Sequence, residues 1–292
     1  HCHPSLKPYS KSFKYEPPKQ NELDEGRKNS IWHYSPPTVL EKFTNRLVTL
    51  TKFTQTDMTA LARAKTKVVI VSLYPFEKHF LSKRIFGWKG LTDVLVNLAA
   101  SVSQSRIDQV LRHRDYFEDL ESEYAFYRQL HNQVQKAQET DSKKIINIIL
   151  SIEGGHALNT GLEMNTDTAN RDEVLKNLKT VKDWKHKPVF ITFAHHFYNE
   201  LCGHARSISI GALKDNQNRG LNSGITDLGL EVIDQLLSDT NGPRIPLDIK
   251  HMSTTSRKAY YDLLDTKYKD DNIPVIASHG ATNGHRSIVQ WD

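Results

Sequence analysis

Ile145-Ile146-Asn147-Ile148-Ile149-Leu150-Ser151-Ile152-Glu153-Gly154-Gly155-His156 is the stretch on which the fold turns. Its first eight residues are a short apolar run rich in β-branched side chains, the mark of a strand buried on both faces, as in a parallel sheet. A carboxylate then stands before two glycines, which lets the backbone turn sharply at the strand end while the acid stays aimed outward. Glu153 as a turn or helix cap is the competing reading.

Working outward, the same grammar repeats. Residues 67–73 form a second β-branched run, preceded by Asp57 and a helical spacing of Met58, Leu61 and Ala62. Residues 91–102 and 107–130 read as helices leading into the 145–152 strand. Beyond it come a helix over 171–184 with an apolar stripe of Val174, Leu175, Leu178 and Val181, and a strand over 188–193. A Gly/Ser/Asn-rich loop fills 202–224. A helix from Thr226 and Asp227 through Leu237, a short strand at 245–249, a Ser/Thr-capped helix over 253–268 and a strand at 274–277 complete the series. Strands alternating with helices predict an α/β fold with a parallel sheet covered on both faces. The expected form is a (β/α)8 TIM-like barrel lacking its last strands in this chain, one domain over residues 1–292, with a long polar loop at about 7–50 carrying Pro17-Pro18 and Pro36-Pro37. That loop is either a lid or a polar excursion.

In such a barrel the chemistry sits at the C-terminal strand ends, and this is where the histidines fall. His1 and His3 have the period-two spacing that turns both imidazoles to one side, within reach of one cation; a tag remnant is the plain alternative. His251 and His279 each close a separate apolar run. His195 follows the 188–193 strand and can ligate metal or, held neutral, donate to a substrate oxyanion, the preferred role. His196, His156 and His204 read as supporting or loop residues, because neighbours on a strand point opposite ways. The pattern points to a metal-dependent hydrolase. No Gly-x-Ser-x-Gly, phosphate loop, Gly-x-Gly-x-x-Gly or His-Glu-x-x-His is present, so serine hydrolase, nucleotide and dinucleotide chemistries lack their signatures.

Composition narrows the partners. A net charge of +5, from 39 basic and 34 acidic residues, is diffuse and forms no nucleic-acid stripe, and 38% hydrophobic residues suffice for a buried core. Cys2 and Cys202 make no disulfide framework and leave the compartment undecided. No apolar run is long enough for a transmembrane span. The absence of an initial Met and of a closing helix after Ser287 predicts a processed or trimmed chain.

Five segments, in order, resemble the membrane (renal-type) dipeptidase family of the amidohydrolase superfamily: Ser151-Ile152-Glu153-Gly154-Gly155-His156, Ile191-Thr192-Phe193-Ala194-His195, residues 224–233, Leu247-Asp248-Ile249-Lys250-His251-Met252-Ser253, and Pro274-Val275-Ile276-Ala277-Ser278-His279. The resemblance covers residues 145–286 and the first strand, and 7–67 match in position only. It implies a binuclear site with two Zn2+, one held by His1, His3 and bridging Glu153, the other by Glu153, His251 and His279. Glu153 and His195 would be the catalytic residues. It also implies that His195 and Arg286 bind substrate, Arg286 through the free carboxylate of a dipeptide, and that a metal-bridged hydroxide attacks the peptide bond. A small dipeptide-like substrate and, where oligomeric, a homodimer are the implied partners. His3 departs from the family's His-x-Asp, and the family's late-strand Asp has no counterpart before Asp292. These departures keep open another amidohydrolase acting on an amide, lactone or phosphoester, and a catalytically inactive barrel serving as a binding module.

Overall fold

Four strands, β1 (Val68–Leu73), β2 (Asn147–Glu153), β3 (Ile191–Thr192) and β4 (Leu247–Asp248), pair in parallel in the order β1-β2-β3-β4. They belong to a computed structural model that describes residues 1–6, 29–34, 36–39, 42–43, 56–81, 104–112, 115–138, 146–208 and 211–280. Two single-residue bridges lengthen the series at its edges, Cys2 beside Val71 and Ile276 beside Asp248, both parallel. Six segments therefore lie side by side in chain order, the arrangement that alternating strands and helices require when each helix returns the chain to the same sheet end. The result is a mixed α/β fold with a parallel sheet, compatible with part of a TIM-like barrel.

Alternation along each strand separates the two faces. Val69, Val71, Leu73, Leu150, Ile152, Ile191 and Leu247 lie in the buried apolar cluster, and Cys2 packs against it. Each fully buried aliphatic side chain there contributes about 1.5–3 kcal/mol. Because Cys2 faces this layer, its neighbours His1 and His3 turn to the other side. By the same parity Glu153 follows Ile152 onto the opposite face, in register with Thr192 and then Asp248.

The helices over 58–63, 116–138, 171–183, 227–237 and 254–266 pack on the apolar face, and Ile107 and Val110 of the helix over 104–112 join a separate cluster with Phe76 and Leu81. In chain order the helices are α1 (Met58–Arg63), α2 (Gln104–Arg112), α3 (Tyr116–Gln138), α4 (Arg171–Asp183), α5 (Gly211–Asn216), α6 (Asp227–Leu237) and α7 (Thr254–Thr266). Val174, Leu178 and Val181 of α4 and Val232, Ile233, Leu236 and Leu237 of α6 are buried. Their starts are set by caps: Asp57, Asn170, Thr226 and Ser253 each accept a hydrogen bond from the backbone N–H three residues on, worth about 1 kcal/mol apiece. Tyr124 of α3 stacks on Trp184 just beyond α4 at 3.9 Å.

Several boundaries differ from the sequence expectation. The helix expected over 107–130 is two: Asp115 accepts from the Glu118 N–H and starts α3 afresh after α2 has ended. The strands expected at 188–193, 245–249 and 274–277 are shorter. Each has a proline as its first or second residue, Pro188, Pro246 or Pro274, which has no N–H to give the ladder. The helix expected over 91–102, most of the 7–50 loop and Arg286 lie outside the described residues. Among the described residues no helix is long and apolar enough to cross a membrane.

Candidate metal centre

Glu153 sits at the end of β2 with 3% exposure, and both of its carboxylate oxygens face imidazoles. Oε2 lies 2.9 Å from His1 Nε2 and 2.7 Å from His3 Nε2. Oε1 lies 3.3 Å from His195 Nε2, 3.9 Å from His279 Nε2 and 4.0 Å from His251 Nε2. The ring nitrogens of His251 and His279 are 3.2 Å apart. Five histidines and one carboxylate from the ends of five sheet segments thus converge, and every metal-ligand candidate named from the sequence is among them. Two overlapping groups, His1/His3/Glu153 and Glu153/His195/His251, bring their ligand atoms close enough to hold a metal ion.

The backbone explains the convergence. Gly154 has φ +95°, and a Cβ there would come within 2.2 Å of the His156 ring, so the turn that releases Glu153 from the strand demands glycine. His156, buried, donates from Nε2 to the Pro75 carbonyl at 2.8 Å, a supporting role in keeping with its sequence reading. His251 has φ +64°, a left-handed conformation that costs a side chain with a Cβ about 1–2 kcal/mol. A histidine tolerated there is a pointer to function, since glycine would fit the backbone better.

Hydrogen bonds fix the ring orientations. His3 Nδ1 donates to the Ser72 carbonyl at 2.8 Å, which leaves Nε2 to face Glu153. His279 Nδ1 is 2.8 Å from Ser278 Oγ, whose own hydrogen goes to Asp248 Oδ2 at 2.6 Å. His195 Nδ1 is hydrogen-bonded to Glu77 Oε2, and the second Glu77 oxygen accepts from the Phe197 N–H. Glu77 also receives the Tyr74 hydroxyl.

Electrostatics follow this wiring. Burial pushes the Glu153 carboxyl up, but hydrogen bonds from His195 and His3 outweigh it and hold the group well below the usual carboxylate range. Glu77 behaves alike: burial raises it, and the His195 and His156 imidazoles pull it well below. For His195 burial opposes the charged form, yet Glu77 and Glu153 together lift it well above the ordinary imidazole value. The two carboxylates that flank His195 thus favour its charged form, against the neutral ring expected from the sequence. His251 is driven the other way, to about 2, by burial and then by the neighbouring His195 charge.

No protein-family model matches the chain, and no curated protein matches it.

The strand rule that set His195 and His196 on opposite sides does not hold. Both lie past the end of β3, and their rings are 4.0 Å apart, with His196 also 5.0 Å from His251. Nδ1 of His196 bonds the Ser207 hydroxyl, and burial lowers its pKa to about 3. His204 is wholly buried and bonds the backbone carbonyls of Ala205 and Arg219, a loop role as expected. Two acids escaped the sequence reading. Glu77 lies four residues beyond β1, at the same sheet end as Glu153, and that placement was its available signal. Asp248 was quoted within a motif but given no role.

Proposed function

We propose that this chain is a metal-dependent hydrolase on a (β/α)8 TIM-like barrel, a zinc dipeptidase of the membrane dipeptidase kind. Its fold is supported by six parallel segments in chain order and by their curvature: His1 on the first and His279 on the last have ring centroids 4.7 Å apart. The observation that carries the function is the division of Glu153, one oxygen serving His1 and His3 and the other serving His195, His251 and His279.

The donors suit zinc in kind and spacing. Zinc takes imidazole nitrogen and carboxylate oxygen at about 2.0–2.2 Å, so two ligand atoms on one tetrahedral ion stand roughly 3.3 Å apart. The 3.2 Å between His251 and His279 matches that edge. Two ring nitrogens at this distance can share one proton at most, whereas a shared cation satisfies both. His1 and His3 would hold one ion with Glu153, and His251 and His279 the other. Bound there, two zinc ions would supply an activated water and positive charge for a developing oxyanion.

The remaining steps fall to the chain. His195, gripped by Glu77 at Nδ1, presents Nε2 toward the centre, where it would donate to a scissile carbonyl oxygen as that oxygen gains charge. Glu77 keeps the ring from turning. Arg286 would fix the substrate's free carboxylate by a bidentate pair, which limits the substrate to a dipeptide.

The test is metal content and turnover together. After chelation and reconstitution the protein should hold about two equivalents of zinc, and it should hydrolyse simple dipeptides faster than lactones, other amides or phosphoesters. Preference for one of those others moves the reading to another amidohydrolase. Retention of less than about half an equivalent favours a binding module without a metal centre.

A further inference from the structure

Asp248 is fully buried at the end of β4, and it accepts four hydrogen bonds from three separate segments. Oδ2 receives the Thr192 hydroxyl of β3 and the Ser278 hydroxyl, each at 2.6 Å. Oδ1 receives the Ser278 N–H at 3.0 Å and the Lys250 N–H at 3.1 Å. Lys250 directly precedes His251 with its left-handed backbone, and Ser278 directly precedes His279. Ser278 Oγ spends its hydrogen on Asp248, so toward His279 Nδ1 it acts as acceptor. That places the His279 proton on Nδ1 and the lone pair on Nε2, facing His251.

We propose that Asp248 is a positioning residue that holds His251 and His279 together as one ligating unit, through the Lys250 amide on one side and the Ser278 hydroxyl on the other. This rests on the two-metal reading of the site and adds to it: the ion on the Oε1 side of Glu153 depends on Asp248, and the ion on the Oε2 side does not. The reason is connectivity. His1 and His3 are joined by the backbone of a single extended segment, and His3 is oriented by the Ser72 carbonyl. His251 and His279 have no such covalent link, and a carboxylate with all four of its hydrogen bonds made is a rigid substitute for one. A buried carboxylate is costly unless so satisfied, which is why its partners come as a full set.

The experiment uses the whole chain, reconstituted with zinc, and measures bound equivalents against a competing chelator for wild type, Asp248→Asn and Ser278→Ala. Loss of a hydrogen-bonding partner behind a ligand typically weakens metal affinity about 10–100-fold. One equivalent should weaken by that factor in both variants while the other keeps its wild-type affinity. Cobalt in place of zinc gives a second readout, in which one half of the visible absorption changes and the rest stays. Ser278→Ala removes only the link to His279 and a single Asp248 partner, so it decides the matter if Asp248→Asn does not fold. Two equivalents of unchanged affinity in a folded variant overturn the inference, as does an equal weakening of both. Failure of the wild type itself to bind metal overturns the underlying two-metal reading.

Discussion

On the Oε2 side of Glu153 the imidazoles come from one extended tripeptide, whereas on the Oε1 side they come from three loops far apart in the chain. The first pair lies at 2.9 and 2.7 Å from the carboxylate, a hydrogen-bonding distance; the second set stands off at 3.3 to 4.0 Å. Local geometry suffices for the first: alternation along a strand puts His1 and His3 on one face whatever the rest of the molecule does. The second needs a scaffold, and the buried acids Glu77 and Asp248 provide it. A side built by local geometry tolerates change around it, and a side built by long-range hydrogen bonds inherits the fragility of every partner.

Glu153→Gln removes what the two sides share. Both zinc equivalents should weaken, and dipeptide hydrolysis should fall by more than the roughly 10–100-fold that loss of a ligand's partner costs. Metal titration alongside turnover checks this, and loss of a single equivalent would show that the carboxylate serves one side only. Glu77→Gln strikes the Oε1 side alone, through His195. The expected result is a drop of about 10–100-fold in kcat with zinc content unchanged, less than the 10²–10³ typical of deleting an oxyanion donor outright. A fall in metal content would make His195 a ligand in place of a donor.

Acid offers the gentlest separation of the two sides. His79, on the same loop as Glu77, stacks at 5.3 Å on Phe197, two residues beyond His195. Burial first, and the Lys78 charge after it, lower its pKa from 6.5 to about 4 against the pull of Glu77. The unfolded chain therefore takes up a proton that the folded one refuses. Stability from this group is full above pH 6.5 and is lost as pH falls toward about 4. In His79→Phe the loss of stability between pH 7 and 5 should be smaller by about 1–2 kcal/mol. Denaturant unfolding of the metal-free chain at the two pH values measures it, and an unchanged difference would mean that His79 takes up its proton as readily in the fold as in the unfolded chain.

Among the described residues, the helix starts at Asp57, Thr226 and Ser253 were legible because a cap is a local bond to an amide three residues away. The strands β1 and β2 were legible because a β-branched run buried on both faces has few other uses. Glu153, His195, His251 and His279 could be named because each closes an apolar run, and His1 and His3 because their period-two spacing turns both rings to one side. Glu77 could not, since the loop after β1 gives no local sign of where its carboxylate will turn. The side of His196 was misread because strand alternation stops where the strand stops.

By itself, then, the sequence determined the order of elements, the parallel sheet and the residue types at its C-terminal edge, all consequences of short-range pattern. Only the tertiary structure decided that Glu153 would divide its two oxygens between two groups of histidines, that Glu77 would clasp His195, and that Asp248 would tie β3, the turn before His251 and the segment ending at His279. Those are contacts between groups tens of residues apart, and their strength depends on burial and on hydrogen-bond geometry that no local spacing encodes.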